Sequence, residues 1–189
     1  MKKYTAKKFP KIRKLFVDIL NRAVLHHTLS GFTEYDITKP REIMNKLKQE
    51  KNKKISFLAF FADCLAKALN ENKIIQGMKI GNRKVVIFEE IDICTIIESE
   101  ENWQKVPLMY IVRDAGNKNL TNINHEIQDV KSNLNTYYNN FESTISKYLF
   151  LPQFLRKIIL KWKYHRDPIF RKKLGGTVCL TSISIMFGE

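Results

Sequence analysis

The sequence predicts an α/β domain, an α+β sandwich in which a mixed sheet is covered by helices, and three observations carry that expectation. Apolar residues recur at steps of three and four in some stretches, and in others they alternate or run on without a break. Apolar residues make up 44% and aromatic residues 11% of 189, enough for one buried core. The 7 glycines and 5 prolines are scattered, with no repeat or linker, so residues 1–189 are expected to form a single domain.

Residues 11–25 carry Ile12, Leu15, Phe16, Ile19, Leu20 and Ala23 at helical spacing, with Lys and Arg opposite, which gives an amphipathic opening helix. The period then shortens. Over 27–37, Leu29, Phe32, Tyr35 and Ile37 face Thr28, Ser30, Thr33 and Glu34, the pattern of a first strand ended by Asp36-Ile37-Thr38. Pro40 suits the first turn of a short helix through Ile43, Met44 and Leu47, which ends at the Lys-rich loop 51–54. Ser56 is the N-cap candidate for the most apolar helix, from Phe57 to Leu69, which is expected to be central and buried.

Gly81-Asn82-Arg83 separates 78–80 from 84–88 as the turn of a β-hairpin. Residues 91–97 and 106–112 read as inner strands, paired across a loop at 98–105. Leu120, Ile123, Ile127, Val130 and Leu134 mark a surface helix with one packed stripe. Residues 152–164 form another helix, with Phe154, Leu155, Ile158, Ile159 and Trp162 on one face beside Arg156, Lys157, Lys161 and Lys163. A loop is expected after it, and Gly175-Gly176 opens a terminal strand over 177–186.

Lys and Arg outnumber Asp and Glu by 33 to 19, for a net charge of +14, so an acidic partner is expected: nucleic acid, an anionic membrane surface or a phosphorylated ligand. The charge is spread along the whole chain without a recognition-helix or single-strand motif, so nucleic acid is not favoured. The basic helix 152–164 could lie on an anionic membrane, but packing of its apolar face onto the sheet is the favoured reading. No apolar run approaches the ~20 residues of a spanning helix, and the N-terminus lacks the layout of a secretory signal; a cytoplasmic protein is expected. Cys64, Cys94 and Cys179 lie far apart with no Cys-x-x-Cys pair, so neither a zinc site nor a disulfide framework is supported, and the thiols read as single and buried.

No Gly-rich phosphate loop, His-x-x-x-His pair or Gly-x-Ser-x-Gly elbow is present, so the search for a catalytic group reduces to four histidines. His26-His27 sits at a helix-to-strand junction, where one ring could be a general base and a capping or surface role is the commoner one. His125, between Asn124 and Glu126, lies on the polar face of its helix. His165-Arg166-Asp167 places an acid near an imidazole, but in what reads as the loop after the basic helix.

Several segments also carry a collinear likeness. They are His27-Thr28-Leu29 through Tyr35-Asp36-Ile37-Thr38, then Lys54-Ile55-Ser56-Phe57-Leu58-Ala59-Phe60 with Ala66-Lys67-Ala68-Leu69, and residues 91–97. Val106-Pro107-Leu108 through Arg113-Asp114-Ala115 and Gly175-Gly176-Thr177 through Thr181-Ser182 complete the series. In this order they resemble the catalytic domain of the dihydrolipoamide acyltransferases of 2-oxoacid dehydrogenase complexes, which have a chloramphenicol acetyltransferase-like fold. Residues 137–173 match least and read as a longer, more basic insertion.

The resemblance implies transfer of an acyl group between CoA and a thiol or other nucleophile, with acyl-CoA as substrate, no metal, and a homotrimer whose active sites lie between subunits. A non-catalytic CoA-binding or protein-association module of the same fold is the alternative. In the family a histidine in a His-x-x-x-Asp-Gly motif deprotonates the thiol, and a strand hydroxyl steadies the oxyanion. Thr181 falls at the position of that hydroxyl and Ser182 follows it, so these two are the candidate oxyanion donors. No His-x-x-x-Asp-Gly occurs in the sequence, so the expectation is a C-terminally shortened domain without its motif base. No lipoyl or subunit-binding segment is read in it either, and it is expected to stand outside a large dehydrogenase complex.

Overall fold

The structure, a computed structural model, describes residues 13–14, 17–18, 20–21, 28–81, 83–101 and 104–182. Two helices lead into the core. Helix α1 spans Thr38–Lys51 and α2 spans Phe57–Glu71. Asp36 accepts hydrogen bonds from the Thr38 amide and hydroxyl and so sets the start of α1, and Asn52, in the left-handed region, ends it. Ser56 caps α2 as expected, its hydroxyl accepting from the Ala59 amide at 3.2 Å. The α1 guanidinium of Arg41 lies 5.6 Å from the centre of the Phe57 ring.

Two small sheets follow. Strands β1 (Met78–Ile80) and β2 (Lys84–Val86) pair antiparallel as the expected hairpin. The larger sheet holds β3 (Ile93–Glu101), β4 (Gln104–Val112) and β5 (Val178–Leu180) in the order β4-β3-β5. It is mixed, because β4 runs antiparallel to β3 and β5 runs parallel to it. Helices α3 (Leu120–Ser132), α4 (Leu134–Leu149), α5 (Gln153–Arg166) and α6 (Pro168–Gly175) lie between β4 and β5 in sequence. The mixed sheet with helices packed on it bears out the expected architecture.

The core lies between α2, α3 and one face of the larger sheet. Leu58, Ala59, Ala62, Ala66 and Leu69 of α2 meet Ile91, Ile93, Val112, Ala115, Ile123 and Ile127 there, and Val178 and Leu180 of β5 pack at its edge. The helix-periodic stripe of α2 and the strand residues thus close on one another, and each fully buried Ile contributes roughly 2–3 kcal/mol of transfer free energy. Asn124 joins the layers, accepting from the Ser56 amide at 2.8 Å and donating to the Lys54 carbonyl at 2.9 Å.

Five expectations are corrected. Residues 28–37 form no strand: their alternation is real, but a ladder needs a second strand and none among the described residues pairs with them. His27, the first residue of that expected strand, lies outside the described residues, as do most of 11–25. The loop expected at 98–105 is largely strand, with the β3–β4 register continuing from Glu98↔Pro107 to Glu101↔Gln104. Backbone pairing alone can lengthen a hairpin, so polar sequence did not mark it. β4 is also an edge strand, which is where Pro107 can be accommodated.

The loop expected after the basic helix is mostly α6. Asp167 caps it by accepting from the Phe170 amide at 2.9 Å, and Pro168 occupies its first turn. The apolar face of α5 does not pack onto the sheet: Phe154, Ile158 and Trp162 are each about 60% exposed (63%, 59% and 59%), and the buried residues are Arg156 and Leu160. The reason is a buried ion pair. Arg156 Nε donates to Asp18 Oδ2 at 2.8 Å, turning the side of the helix that bears Arg156 and Leu160 inward. Of the expected strand 177–186, residues 178–180 are strand and 183–189 lie outside the described residues. No helix among the described residues is long and apolar enough to cross a membrane.

Candidate functional site

The joint between β3 and β5 is built on one buried carboxylate. A buried charged group must be paired, and Asp92, just before β3, is paired on both oxygens. Arg113 Nη1 donates to Oδ2 at 2.7 Å, and the Asp114 amide donates to Oδ1 at 2.9 Å. The same guanidinium then reaches the end of α6, with Nη1 donating to the Lys172 carbonyl at 3.0 Å and Nη2 to the Lys173 carbonyl at 2.9 Å. These are carbonyls of the last helical turn, where a cation is favoured, and that of Lys172 also accepts from the Gly176 amide at 2.9 Å. Lys172 forms an ion pair with Glu90 and lies 3.8 Å from Asp92 Oδ2.

The Asp92 backbone holds the other side. Its carbonyl accepts from the Thr177 amide at 2.7 Å, and its amide donates to the Thr177 hydroxyl at 3.1 Å. Gly176 makes this approach possible. It has φ of 70°, and a Cβ there would lie 2.5 Å from the Asp92 carbonyl oxygen. Arg113-Asp114 and Gly175-Gly176-Thr177, which α3 to α6 separate in the sequence, therefore meet at one point.

Docked in this way, β5 turns Val178 and Leu180 toward the core, leaving Thr177 and Cys179 on the opposite face. That face opens on a cavity of about 280 Å³, whose walls include Met78, Met109, Tyr164, Arg171, Thr177 and Cys179. Arg171 Nη2 donates to the Lys79 carbonyl at 2.7 Å, while its buried Nε has no hydrogen-bond partner among the described residues. The guanidinium lies 5.5 Å from the centre of the Tyr164 ring. A small chamber with a cationic wall results.

Thr181 and Ser182 follow β5 directly. Thr181 is exposed and Ser182 half-buried; by alternation Thr181 continues the face of Thr177 and Cys179, and Ser182 the face of Leu180. Neither of the two described histidines lines this cavity. His125 pairs with Asp129 through Nδ1 at 2.9 Å on the exposed side of α3, the solvated position expected for it. His165, in the last turn of α5, borders a separate cavity with Ile158, Trp162 and Arg166. Asp167, its expected partner, spends one oxygen on the α6 cap. His26 and His27 lie outside the described residues.

Sequence reasoning missed Asp92, Arg113 and the pairing of two cysteines. A lone acid inside the β-branched run 91–97 was the available signal for the first. Cys94 and Cys179 stand opposite one another in the parallel β3–β5 register. Only Cys94 is buried, so the expectation of three buried thiols fails for Cys64 and Cys179, which are exposed. The neighbouring Cys179 thiol and burial together push Cys94 well above the ordinary thiol range. Cys94 beside it lowers Cys179 to about 7, against the opposing effect of burial. Among the described residues no cluster of His, Cys, Asp and Glu could hold a metal ion.

Residues 1–137 match the family model described as 2-oxoacid dehydrogenases acyltransferase (catalytic domain). Solved structures with a similar fold include a truncated catalytic core of the 2-oxoacid dehydrogenase multienzyme complex from Thermoplasma acidophilum, at 16% identity and a TM-score of 0.58 over 70% of this chain and 60% of that one. A probable dihydrolipoamide acetyltransferase from Listeria monocytogenes is similar at 17% identity and a TM-score of 0.63, over 99% of this chain and 67% of its own. The dihydrolipoamide acetyltransferase of Azotobacter vinelandii, in whose catalytic mechanism the roles of a serine, a histidine and an asparagine have been investigated, matches at 14% identity and a TM-score of 0.60, over 71% of this chain and 56% of its own. At these identities the likeness shows the fold. The chain spans from 56% to 67% of the length of these relatives. No curated protein matches it.

Proposed function

The chain belongs to the family of 2-oxoacid dehydrogenase acyltransferases, through their catalytic domain, and from that premise we propose that it takes part in moving an acyl group between CoA and a thiol acceptor at the end of β5. The observation that carries this reading is the Asp92–Arg113–Thr177 joint, which fixes a Gly-Gly-Thr strand beside a cationic cavity. Acyl transfer needs a donor aimed at the carbonyl oxygen as it becomes an oxyanion, and a base for the attacking thiol. In this reading Thr181, or Ser182 beside it, is the donor. Arg171 and the surplus of basic residues favour the phosphorylated end of CoA.

The base comes from outside the described residues, from His26 or His27 or from a histidine of another polypeptide. Assembly into a trimer would supply such a group, and the extended segment 28–37 supports assembly. Leu29 and Phe32 are fully exposed there, and the segment has the alternation of a strand without a partner strand among the described residues. The free thiols fit a reducing compartment, hence the cytoplasm.

An acetyl-transfer assay tests the proposal, with acetyl-CoA and dihydrolipoamide as substrates and imidazole added as a diffusible base. Transfer is expected to rise with imidazole, and Thr181→Val is expected to lower the imidazole-supported rate by about a hundredfold, the usual cost of one oxyanion donor. Transfer that survives removal of both hydroxyls in Thr181→Val/Ser182→Ala would overturn it.

A further inference from the structure

We propose that Cys94 and Cys179 form a reactive dithiol, in which Cys179 exchanges with small disulfides entering the cavity and Cys94 resolves the adduct into a Cys94–Cys179 disulfide. The geometry comes from the backbone. The two residues are directly opposite in a parallel pair of strands, and paired strands lie about 4.8 Å apart, inside the Cα separation of roughly 4.4–6.8 Å that a disulfide bridges. Residues opposite one another in a ladder project to the same face, so no backbone rearrangement is needed to bring the sulfurs together. Each thiol also shifts the titration of the other, Cys94 upward and Cys179 downward.

Unequal exposure assigns the order of attack. Cys179 is exposed and lines the cavity, whereas Cys94 is buried in the central strand between β4 and β5. A small disulfide such as oxidised glutathione can reach only the former. The Cys179 thiolate attacks one sulfur of that disulfide, forming a mixed disulfide and releasing one molecule of thiolate. Cys94 then loses its proton to solvent and attacks the Cys179 sulfur, expelling the second thiolate. Two protein thiols and one external disulfide become one protein disulfide and two external thiols, so atoms and electrons balance.

The thiolate fraction supports the same assignment. With Cys179 near 7, about half of it is ionised at neutral pH, against a few per cent for an ordinary thiol. Lower basicity costs some intrinsic nucleophilicity, so the net advantage over a cysteine in an unstructured peptide is about threefold. Bridging would tie β5 to β3 two residues before Thr181 and remove Cys179 from the cavity wall. The inference rests on strand register and does not depend on the acyl-transfer reading.

The test is oxidation of the folded protein with oxidised glutathione, in a Cys64→Ser background that removes the other exposed thiol, followed by intact mass measurement and non-reducing peptide mapping. Without Cys64→Ser the mapping can be repeated on the unaltered chain, so the test does not rely on any one variant folding. The expected product is a protein lighter by two hydrogens, with the peptides containing Cys94 and Cys179 linked and the link reversed by dithiothreitol. Cys94→Ala should instead keep one glutathionyl group on Cys179, and Cys179→Ser should show neither product. A glutathionyl group that persists on Cys179 while Cys94 is present, or a Cys179 that does not react at all, would overturn the proposal.

Discussion

Between α2 and the larger sheet, the side chains of Ile91, Ile93, Val112, Ile123 and Ile127 meet with no water-accessible surface, and all of them are apolar. At the joint that fastens β5 and α6 to that sheet, the contacts are a carboxylate, a guanidinium, a threonine hydroxyl and backbone groups. The first region is stabilised by area removed from water, which is non-directional and tolerates sliding. The second is stabilised by a few hydrogen bonds whose geometry must be right all at once. An acyl-transfer site needs the second kind of holding, because a donor displaced by 1 Å loses much of its effect. The same contrast extends to α5, whose inward side is fixed by the Arg156–Asp18 pair while Phe154, Ile158 and Trp162 remain exposed.

The contrast can be broken from either side. Ile123→Ala removes a fully buried side chain from the apolar layer, and a cost of roughly 3–4 kcal/mol is expected, read as a lower midpoint in urea for the entire chain. Asp92→Ala should cost less, roughly 2–3 kcal/mol, because Arg113 is 47% exposed and can return to solvent once its buried partner is gone. Its signature is local. Amide exchange should accelerate at residues 177–180 and in the last turn of α6, with 57–69 still protected. Equal acceleration in both segments would show that the joint and the core are one cooperative unit.

Legibility in the sequence follows the same division. α2 was readable to its cap because Ser56 and the apolar spacing are local signals, and the β3–β4 pairing was readable because the two strands are neighbours in sequence. The parallel pairing of β3 with β5 was not, since Asp92 and Thr177 are 85 residues apart and no local pattern specifies a parallel partner. The Arg113-Asp114 and Gly175-Gly176-Thr177 motifs were seen, but as separate family-like segments, and only the fold shows that one anchors the other. α6 was missed although Asp167-Pro168 is a good helix start, because the charged run after it was read as loop. For α5, spacing identified an apolar face correctly, but periodicity does not say what a face meets. Arg156 decided that instead.

The most direct measurement is calorimetric titration of the chain with acetyl-CoA at low salt, beside Asp92→Ala. The joint predicts saturable heat in the unaltered protein, weakening with added salt as a cationic cavity requires, and a several-fold loss of affinity when the carboxylate that positions β5 is removed. A flat trace at millimolar acetyl-CoA, or equal affinity in the two proteins, would contradict the claim that the β3–β5 joint builds the ligand site.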